Sequence, residues 1–160
     1  MKKFLTVLSV VSVITALADL KLPARHFKVI SGGSARLVSG EELFSKAIEL
    51  KAGAEQAVTA ELPKGGAFFV PNAVYEAKAE IKGRGTAFLE IRLLTGDNQI
   101  ISRHRVVTRQ ATARFRDIEG KLDLRGKTFA RTPAKVNVVI GVEKGGCVAF
   151  DDIELEIDND

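Results

Sequence analysis

Apolar and polar residues alternate in several short runs along the chain. Between Val74 and Ile81 every second residue is apolar or aromatic on one parity, and the residues between are Glu, Lys and Glu. The segments Ala87–Leu93 and Val136–Val142 show a similar alternation. Because successive side chains of a strand point to opposite faces, this pattern predicts strands with one buried face. Many short runs separated by Gly, Pro, Asn and Asp predict an all-β protein, an antiparallel β-sandwich.

Turn residues fix where these predicted strands end. The tetrapeptide Thr95–Asn98 is a tight-turn sequence that predicts a hairpin between the strands flanking it. Lys82–Gly85 is also expected to turn the chain, and Lys64–Asn72 reads as a loop. Glu41–Ala47 allows either a strand lead-in or one helical turn. Further strands are expected near His26–Ile30, Ala35–Val38, Lys46–Leu50, Ala57–Leu62, Gln99–Val107 and Ala113–Ile118.

The last predicted strand, Cys147–Ile157, changes its buried parity partway along. Val148 and Phe150 share one parity, whereas Ile153 and the apolar residues after it share the other. Such a jump requires a bulge or a bend, because a shift of one residue moves every side chain to the opposite face. The jump falls on the adjacent carboxylates Asp151 and Asp152.

The first eighteen residues have the layout of a secretory signal peptide. Lys2 and Lys3 precede the apolar run Phe4–Leu17, and the small residues around Ala18 suit a signal peptidase. The run is shorter than the roughly 20 residues that a membrane-spanning helix needs. We therefore expect a signal peptide over 1–18, a secreted or periplasmic protein without a membrane span after cleavage, and one binding domain over 19–160.

Charge and cysteine content exclude some functions. The chain carries 24 basic and 20 acidic side chains, and without Lys2 and Lys3 the balance is 22 to 20. A net charge of +2 is too small for a general polyanion binder, and we expect no nucleic acid partner. Cys147 is the only cysteine, so an internal disulfide is impossible, and its strand position predicts a small buried side chain.

Arginines are concentrated in the middle of the sequence, between residues 92 and 131. If the strands that carry them pair with one another, their outward faces form a positive strip. Arginine forks suit carboxylates, sulfates and phosphates. The alternative is a solvated sheet face whose charges discourage edge pairing. The strip would consist of Arg92, Arg103, Arg105, Arg114 and Arg116.

Four segments of the chain, with a strand around Phe115 between the second and the third, carry a family resemblance. They are VYEAKAEIKG (Val74–Gly83), GTAFLEIRLLTGDNQII (Gly85–Ile101), TPAKVNVVIGV (Thr132–Val142) and GCVAFDDIELEI (Gly146–Ile157). In strand phase and turn placement this order resembles the galactose-binding-like jelly roll of carbohydrate-binding modules in secreted proteins. The resemblance covers roughly 57–157, and the FDDIELE segment is its most specific part.

The resemblance implies a two-sheet jelly roll with a non-catalytic, ligand-binding role. Many such modules hold a structural calcium ion through a carboxylate of the last strand and oxygens of the N-terminal segment. The matching positions here are Asp151 and Asp152. Because Ca²⁺ takes six to eight oxygen ligands, other oxygens would have to complete the site. The alternative is that one carboxylate caps a turn and the other faces water.

Catalytic constellations are weak in this sequence. Ser102 and His104 share a face of their predicted strand, but the strand rise separates such side chains by nearly 7 Å, which is too far for a nucleophile and its base. Glu76 and Glu80 point outward from one strand and do not face each other across a cleft, as glycoside hydrolysis requires. We therefore predict that the protein is not an enzyme.

The sequence favours an exported binding module that holds a carbohydrate, possibly an acidic glycan, on one sheet face or a rim loop. The alternative is a structural or adhesive module whose partner is a cell-surface protein. Both hypotheses use the same candidate contacts, chosen for an outward position on a strand or a place in the 64–72 loop. They are Phe68, Phe69, Phe88, Arg92, Arg103, Arg105, Arg114, Arg116 and Asn137.

Overall fold

The structure is a computed structural model that describes residues 18–63 and 65–159. The predicted signal peptide lies outside the described residues except for Ala18, which begins the first strand. The described chain forms twelve strands and one short 3-10 helix, Ala24–His26. The strands are β1 (Ala18–Lys21), β2 (Lys28–Ser31), β3 (Gly33–Ser39), β4 (Lys46–Ala52), β5 (Val58–Glu61), β6 (Ala67–Phe68), β7 (Val74–Arg84), β8 (Thr86–Leu94), β9 (Ile100–Gln110), β10 (Arg116–Asp123), β11 (Lys135–Val142) and β12 (Cys147–Asp158).

Two antiparallel sheets of six strands each form the sandwich that the sequence predicts. Sheet 1 has the order β10-β7-β12-β4-β3, with β1 also paired to β12. Sheet 2 has the order β2-β5-β11-β8-β9, with β6 also paired to β11. One continuous core of buried side chains lies between the sheets, and the aliphatic residues of the alternating runs supply most of it. None of the helices in the described residues is long and apolar enough to cross a membrane.

The last strand contains the predicted irregularity. The pairing of β12 with β7 shifts between Asp151 and Glu154, and Asp152 has a positive φ of 44°. On its other edge β12 pairs with β4 over Cys147–Phe150 and with β1 after the shift. The bulge therefore marks the point where β12 changes its partner on that edge, and the parity of its buried side chains changes there.

Most predicted strands are present, and the hairpin around Thr95–Asn98 joins β8 to β9 as expected. The turn at Lys82–Gly85 is different, because β7 continues to Arg84 and the chain then crosses from sheet 1 to sheet 2. The expected loop at 64–72 contains the two-residue strand β6. β1 was not predicted. Residues 41–45 form a turn rather than a helical turn, and Lys46 and Ala47 already belong to β4.

The strand expected over Ala113–Ile118 is wrong in its bounds. The strand begins at Arg116 and continues to Asp123, and Ile118 and Leu122 face the core. Gly120 lies between them, so the alternation of apolar and polar residues was not recognisable in the sequence. A Cβ atom at Gly120 would lie 2.6 Å from the backbone oxygen of Val106 on β9. Glycine at this position therefore allows the edge strands of the two sheets to approach each other.

Tyr75 fixes the loop before β7 from inside the core. Its side chain is fully buried, as its parity predicts. The hydroxyl donates to the backbone oxygen of Val70 at 2.8 Å and accepts from the Val70 N–H at 2.6 Å. The ring of Phe69 stacks on Tyr75, with 6.2 Å between the centroids, and meets Phe129 edge-on. The loop is thus attached to the core by one hydroxyl and two ring contacts.

We predict that Tyr75→Phe destabilises the protein although it changes the packing volume very little. The variant leaves the N–H and the oxygen of Val70 without their partner, which costs about 2 kcal/mol of unfolding free energy. Urea unfolding followed by circular dichroism measures this difference. A loss of less than about 0.5 kcal/mol would show that water replaces the hydroxyl at no cost.

Candidate ligand-binding groove

A groove of about 340 Å³ lies on the outer face of sheet 2. Side chains of β5, β8 and β9 form most of it, and the end of β2 closes one side. The alternation within each strand brings these side chains to the same face, opposite the core. The groove is lined by Ile30, Ser31, Ala57, Thr59, Phe88, Glu90, Arg92, Arg103 and Arg105.

Arg92 lies at the base of the groove and is neutralised there. Its side chain is only 6% exposed, yet it is charged. Its Nε donates to Glu90 at 2.5 Å and its Nη1 donates to Glu61 at 3.0 Å. A buried charge is tolerated when opposite charges and hydrogen bonds satisfy it. Arg92 is therefore a fixed part of the groove, held by carboxylates from two strands.

Phe88 and Arg105 form a stacked pair beside this cluster. The guanidinium carbon of Arg105 lies 3.8 Å from the centre of the Phe88 ring, and Nη1 donates to Glu143 at 2.5 Å. The ring sinks into the sheet because Gly141 faces it across the strand pair, and a Cβ there would lie 2.0 Å from the ring. Phe88 is therefore buried although it points outward, as predicted, and Arg105 covers it.

The structure divides the predicted arginine strip. Arg103 lies directly opposite Arg92, and Arg105 lies opposite Glu90, so three of the five arginines share the outer face of sheet 2. Arg116 instead begins β10 in sheet 1, and Arg114 lies in the connection before it. The expectation of one continuous strip is wrong, because the strand after β9 pairs with β7 of the other sheet rather than with β9.

Asn137 lies next to Arg92 in the pairing of β11 with β8 and is almost completely buried. Its Nδ2 donates to the backbone oxygen of Leu62 at 3.0 Å, whereas its Oδ1 has no hydrogen-bond partner in the described part of the chain. The segment around Gly66 covers this side chain. Asn137 therefore anchors the loop before β6 and does not face solvent as a contact residue would.

The two phenylalanines of the 64–72 loop have different environments. Phe69 points inward against Tyr75 and Phe129 and is half-buried. Phe68 is 83% exposed and pairs with Lys135 on β11. Because Lys135, Asn137 and Gly141 share one parity of β11, Phe68 belongs to the same outer face as the groove. It lies toward the end of that face, beyond Arg92.

Ser102 and His104 are closer than the sequence analysis expected. His104 Nε2 lies 2.9 Å from Ser102 Oγ, a hydrogen-bond distance. The expectation that these side chains cannot meet is wrong, because the long imidazole leans along the strand toward the shorter side chain. Among the described residues, no carboxylate is hydrogen bonded to His104. The pair therefore lacks the third group that orients a catalytic base.

Asp151 is held by hydrogen-bond donors at the bulge of β12. Oδ2 accepts from the N–H of Glu41 at 2.9 Å and from the hydroxyl of Ser45 at 3.0 Å, and Oδ1 accepts from the N–H of Asp152 at 3.0 Å. A Cβ at Gly40 would overlap this carboxylate, so the turn packs closely on it. The buried Asp151 thus ties the turn before β4 to β12.

Asp152 is exposed and pairs with Lys21 at 3.3 Å. Among the described residues, no group of three or more His, Cys, Asp or Glu side chains is placed to hold a metal ion. With its oxygens occupied by N–H and O–H donors, Asp151 does not fit a calcium ligand as arranged. This arrangement therefore gives no support to the calcium ion that was expected at Asp151 and Asp152.

We predict that Asp151→Ala lowers the free energy of unfolding by about 3 kcal/mol, because two N–H groups and one hydroxyl lose a charged acceptor. Asp152→Asn is the matched control, since it keeps a residue that tolerates positive φ and removes only an exposed ion pair worth less than about 1 kcal/mol. Chemical denaturation measures both variants.

The same samples test the calcium ion. We expect EDTA to leave the melting temperature of the unmodified protein unchanged, because the Asp151 contacts need no ion. A melting temperature that falls with EDTA and recovers with Ca²⁺ would instead establish a bound ion, since a ligand of the folded state stabilises it.

Glu80 lies on β7 near the bulge and faces other carboxylates. Burial and the neighbouring Glu41, Asp152 and Asp117 raise the pKa of Glu80 to about 7. Because the folded-state pKa exceeds the ordinary value of 4.5, the folded protein favours the protonated form. The resulting stabilisation is complete below the ordinary pKa and is lost as the pH rises through about 7.

We predict that Glu80→Gln gains stability relative to the unmodified protein as the pH increases. The difference should be small at pH 5 and largest above pH 8, because only the carboxylate suffers from the neighbouring charges. Urea unfolding at both pH values measures it, and Glu119→Gln on the adjacent strand serves as the control. A difference independent of pH would contradict the assigned pKa.

Sequence reasoning missed several residues of the groove. Glu61, Glu90 and Glu143 neutralise its arginines but were absent from the candidate contacts. Glu90 alternates with Phe88 and Arg92, so its place on this face was available from the pattern. Glu61 reaches Arg92 from β5, which lies two strands away in the sheet order. Only the strand order reveals that contact.

Comparison with known proteins places the fold. No protein-family pattern matches the sequence, and no curated protein matches it. Among solved structures, the CBM22-1 xylan-binding domain of Paenibacillus barcinonensis Xyn10C is 10% identical, with a TM-score of 0.60 over 89% of this chain and 94% of its own. The family 11 carbohydrate-binding module of the Clostridium thermocellum cellulase Lic26A-Cel5E is 12% identical, with a TM-score of 0.61 over 88% and 95%.

An arabinose-bound α-L-arabinofuranosidase is also similar, with 12% identity and a TM-score of 0.62. The match covers 90% of this chain and 27% of the enzyme, so this chain spans about a quarter of that protein's length. At these identities the likeness concerns the fold. The chain has the jelly-roll sandwich of carbohydrate-binding modules, as the resemblance in its sequence implies.

Proposed function

We propose that this protein is an exported, non-catalytic module that binds a carbohydrate in the groove on the outer face of sheet 2. The observation that carries the proposal is the buried Arg92, which Glu61 and Glu90 hold at the base of an open groove. Binding sites of this kind need polar groups that are fixed before the ligand arrives. The likeness of the fold to carbohydrate-binding modules supports the same conclusion.

The chemistry of the groove suits sugar hydroxyls. Guanidinium groups donate hydrogen bonds and carboxylates accept them, and both lie side by side on neighbouring strands. Ser31 and Thr59 add hydroxyls, which are hydrogen bonded to each other at 2.7 Å and can each donate or accept a hydrogen bond. A hydroxyl of a sugar both donates and accepts, so this mixture can satisfy it without a net charge on the ligand.

Phe68 extends the proposed site along the face. Its exposed ring offers a flat apolar surface of the kind that covers the C–H side of a sugar ring. On β11, Gly141 pairs with Phe88 and Lys135 pairs with Phe68. These two positions of β11 are six residues apart. This separation corresponds to about 20 Å along an antiparallel strand. The face is therefore long enough for an oligosaccharide that runs along β11.

The balance of charge favours a neutral glycan in this groove. Glu61, Glu90 and Glu143 pair with Arg92 and Arg105, which leaves Arg103 as the exposed cation of the cluster. In the described residues, Arg103 forms no ion pair. One free guanidinium does not require an acidic ligand.

Export rests on the layout of the first eighteen residues, and the lack of catalysis rests on the incomplete Ser102–His104 pair.

Binding to a panel of soluble neutral polysaccharides, including xylan and mixed-linkage glucan, tests the proposal by affinity gel electrophoresis and calorimetry. We expect Phe68→Ala and Arg103→Ala each to weaken binding by about tenfold, as the loss of one stacking or charge-assisted contact would. Both side chains are exposed, so the melting temperature should hardly change.

Lys127→Ala removes an exposed cation outside the groove and is the control. Failure to bind any polysaccharide of the panel would contradict the proposal. Equal losses in Lys127→Ala and Arg103→Ala would also contradict it, because binding would then depend on net charge and not on the groove.

A further inference from the structure

Basic and acidic residues are unevenly distributed on the outer face of sheet 1. The strand pairings place every second residue of β7, β12, β4 and β3 on this face. One end of the face carries Arg36, Lys51, Lys82 and Arg84, with Glu49 as the acidic residue among them. Farther along the same strands the face carries Lys78 and a larger number of acidic residues, which are Glu76, Glu80, Asp151, Glu154 and Glu156.

The acidic end is crowded enough that neighbouring carboxylates help to raise the pKa of Glu80 to about 7. Lys78 lies among these carboxylates and pairs with Glu156 at 2.6 Å and with Glu76 at 3.6 Å. The basic end holds fewer carboxylates, because Glu49 is the acidic residue among its four cations and pairs with Arg36.

A second groove of about 440 Å³ lies within this basic end. Lys51, Cys147 and Arg84 are direct partners on the adjacent strands β4, β12 and β7. Since adjacent strands are about 4.8 Å apart, the backbones of Lys51 and Arg84 are about 10 Å apart, with Cys147 between them. Long basic side chains thus flank a floor formed by the small side chain of Cys147. Cys147 is partly exposed, so the expectation that it is buried is wrong, because its side chain has the opposite parity from the core residues Val148 and Phe150.

The position of Arg84 depends on the two glycines around it. Gly83 and Gly85 have φ values of +145° and +110°, which only glycine adopts easily. A Cβ at Gly83 would lie 2.3 Å from the backbone oxygen of Cys147, and one at Gly85 would lie 2.6 Å from Gly146. The close approach of these backbones holds Arg84 beside the floor of the groove.

The cations of this groove are largely available to a ligand. Arg36 pairs with Glu49 at 2.6 Å, but its side chain remains 73% exposed. Lys51 and Arg84 are exposed, and neither forms an ion pair in the residues that the structure describes. The Lys82 amine lies 5.5 Å from the centre of the Phe115 ring. This groove therefore offers free cations, whereas most arginines of the sheet 2 groove are paired.

We propose that the basic groove of sheet 1, lined by Ser34, Arg36, Glu49, Lys51, Arg84 and Cys147, is a second binding site that takes a polysaccharide carrying carboxylate or sulfate groups. Two separated cations suit a chain with repeated anionic groups. The small floor leaves room for a chain between them. This site is on the opposite sheet from the groove of the proposed function, and neither proposal rests on the other.

The lining of the groove favours a polysaccharide over other polyanions. It contains no aromatic side chain on which nucleic acid bases would stack. It also contains no large aliphatic or aromatic anchor of the kind that dominates protein interfaces. A ligand that presents anionic groups and hydroxyls on a flexible chain needs neither.

Calorimetry with heparin and with polygalacturonate at low salt tests the second site. We expect the double variant Lys51→Glu/Arg84→Glu to weaken binding by at least about tenfold, as the loss of two charge-assisted contacts would. The matched control, Arg114→Glu/Arg131→Glu, changes the net charge equally with exposed arginines outside both grooves, and we expect it to stay within about twofold of the unmodified protein. Equal losses in the two variants, or no binding of either polysaccharide, would overturn the proposal.

Cys147 provides a second readout that needs no substitution. Saturating polygalacturonate should slow alkylation of this thiol, because the ligand would cover the floor of the groove. A single-stranded DNA oligonucleotide and poly-glutamate are the comparison ligands, and we expect neither to protect Cys147. Equal protection by either one, or no protection by the polysaccharide, would contradict the assignment even if a charge variant fails to fold.

Discussion

The buried carboxylate of Asp151 is the contact on which the architecture depends most. It lies where β12 leaves β4 and begins to pair with β1, and it holds the turn before β4 through the N–H of Glu41 and the hydroxyl of Ser45. Without these hydrogen bonds, the turn before β4 would no longer be held to β12 at the point where β12 changes its partner from β4 to β1. The bulge and the change of buried parity lie at this same point of β12.

The two sheets use charged residues in different ways. On sheet 2, carboxylates of β5 and β8 hold Arg92 in a buried position, and the arginines become fixed parts of a groove. On sheet 1, Lys51 and Arg84 flank a groove without forming an ion pair in the described residues, and most of the carboxylates of the same face lie farther along the strands. Net charge does not reveal this difference, because the whole chain is only slightly basic. Function therefore depends on how the strand order places basic and acidic residues on the two faces.

Much of the fold was accessible from the sequence because each strand carries its own alternation. The bulge at Asp151–Asp152 could be predicted from the parity of Phe150 and Ile153 alone. The hairpin between β8 and β9 followed from its turn residues. The start of β10 was misjudged because Gly120 interrupts the apolar pattern, and β1 is too short to show one.

The site was less predictable, because it depends on which strands become neighbours. The sequence placed Arg103, Arg105 and Arg92 on outward positions, and they do share one face. It could not show that Arg114 and Arg116 belong to a different sheet, nor that Glu61 reaches Arg92 across the strand order. Alternation predicts on which face of its strand a side chain lies, whereas the side chains next to it depend on long-range strand pairing.

Gly141 gives the groove of sheet 2 its depth. Because position 141 has no side chain, the ring of Phe88 lies close against the backbone there, and Arg105 stacks on the ring. A single added methyl group would lift that ring and turn a recess into a raised platform. The shape available to a ligand is therefore controlled by one residue that need not touch the ligand, so related chains could alter selectivity there while every contacting side chain stays the same.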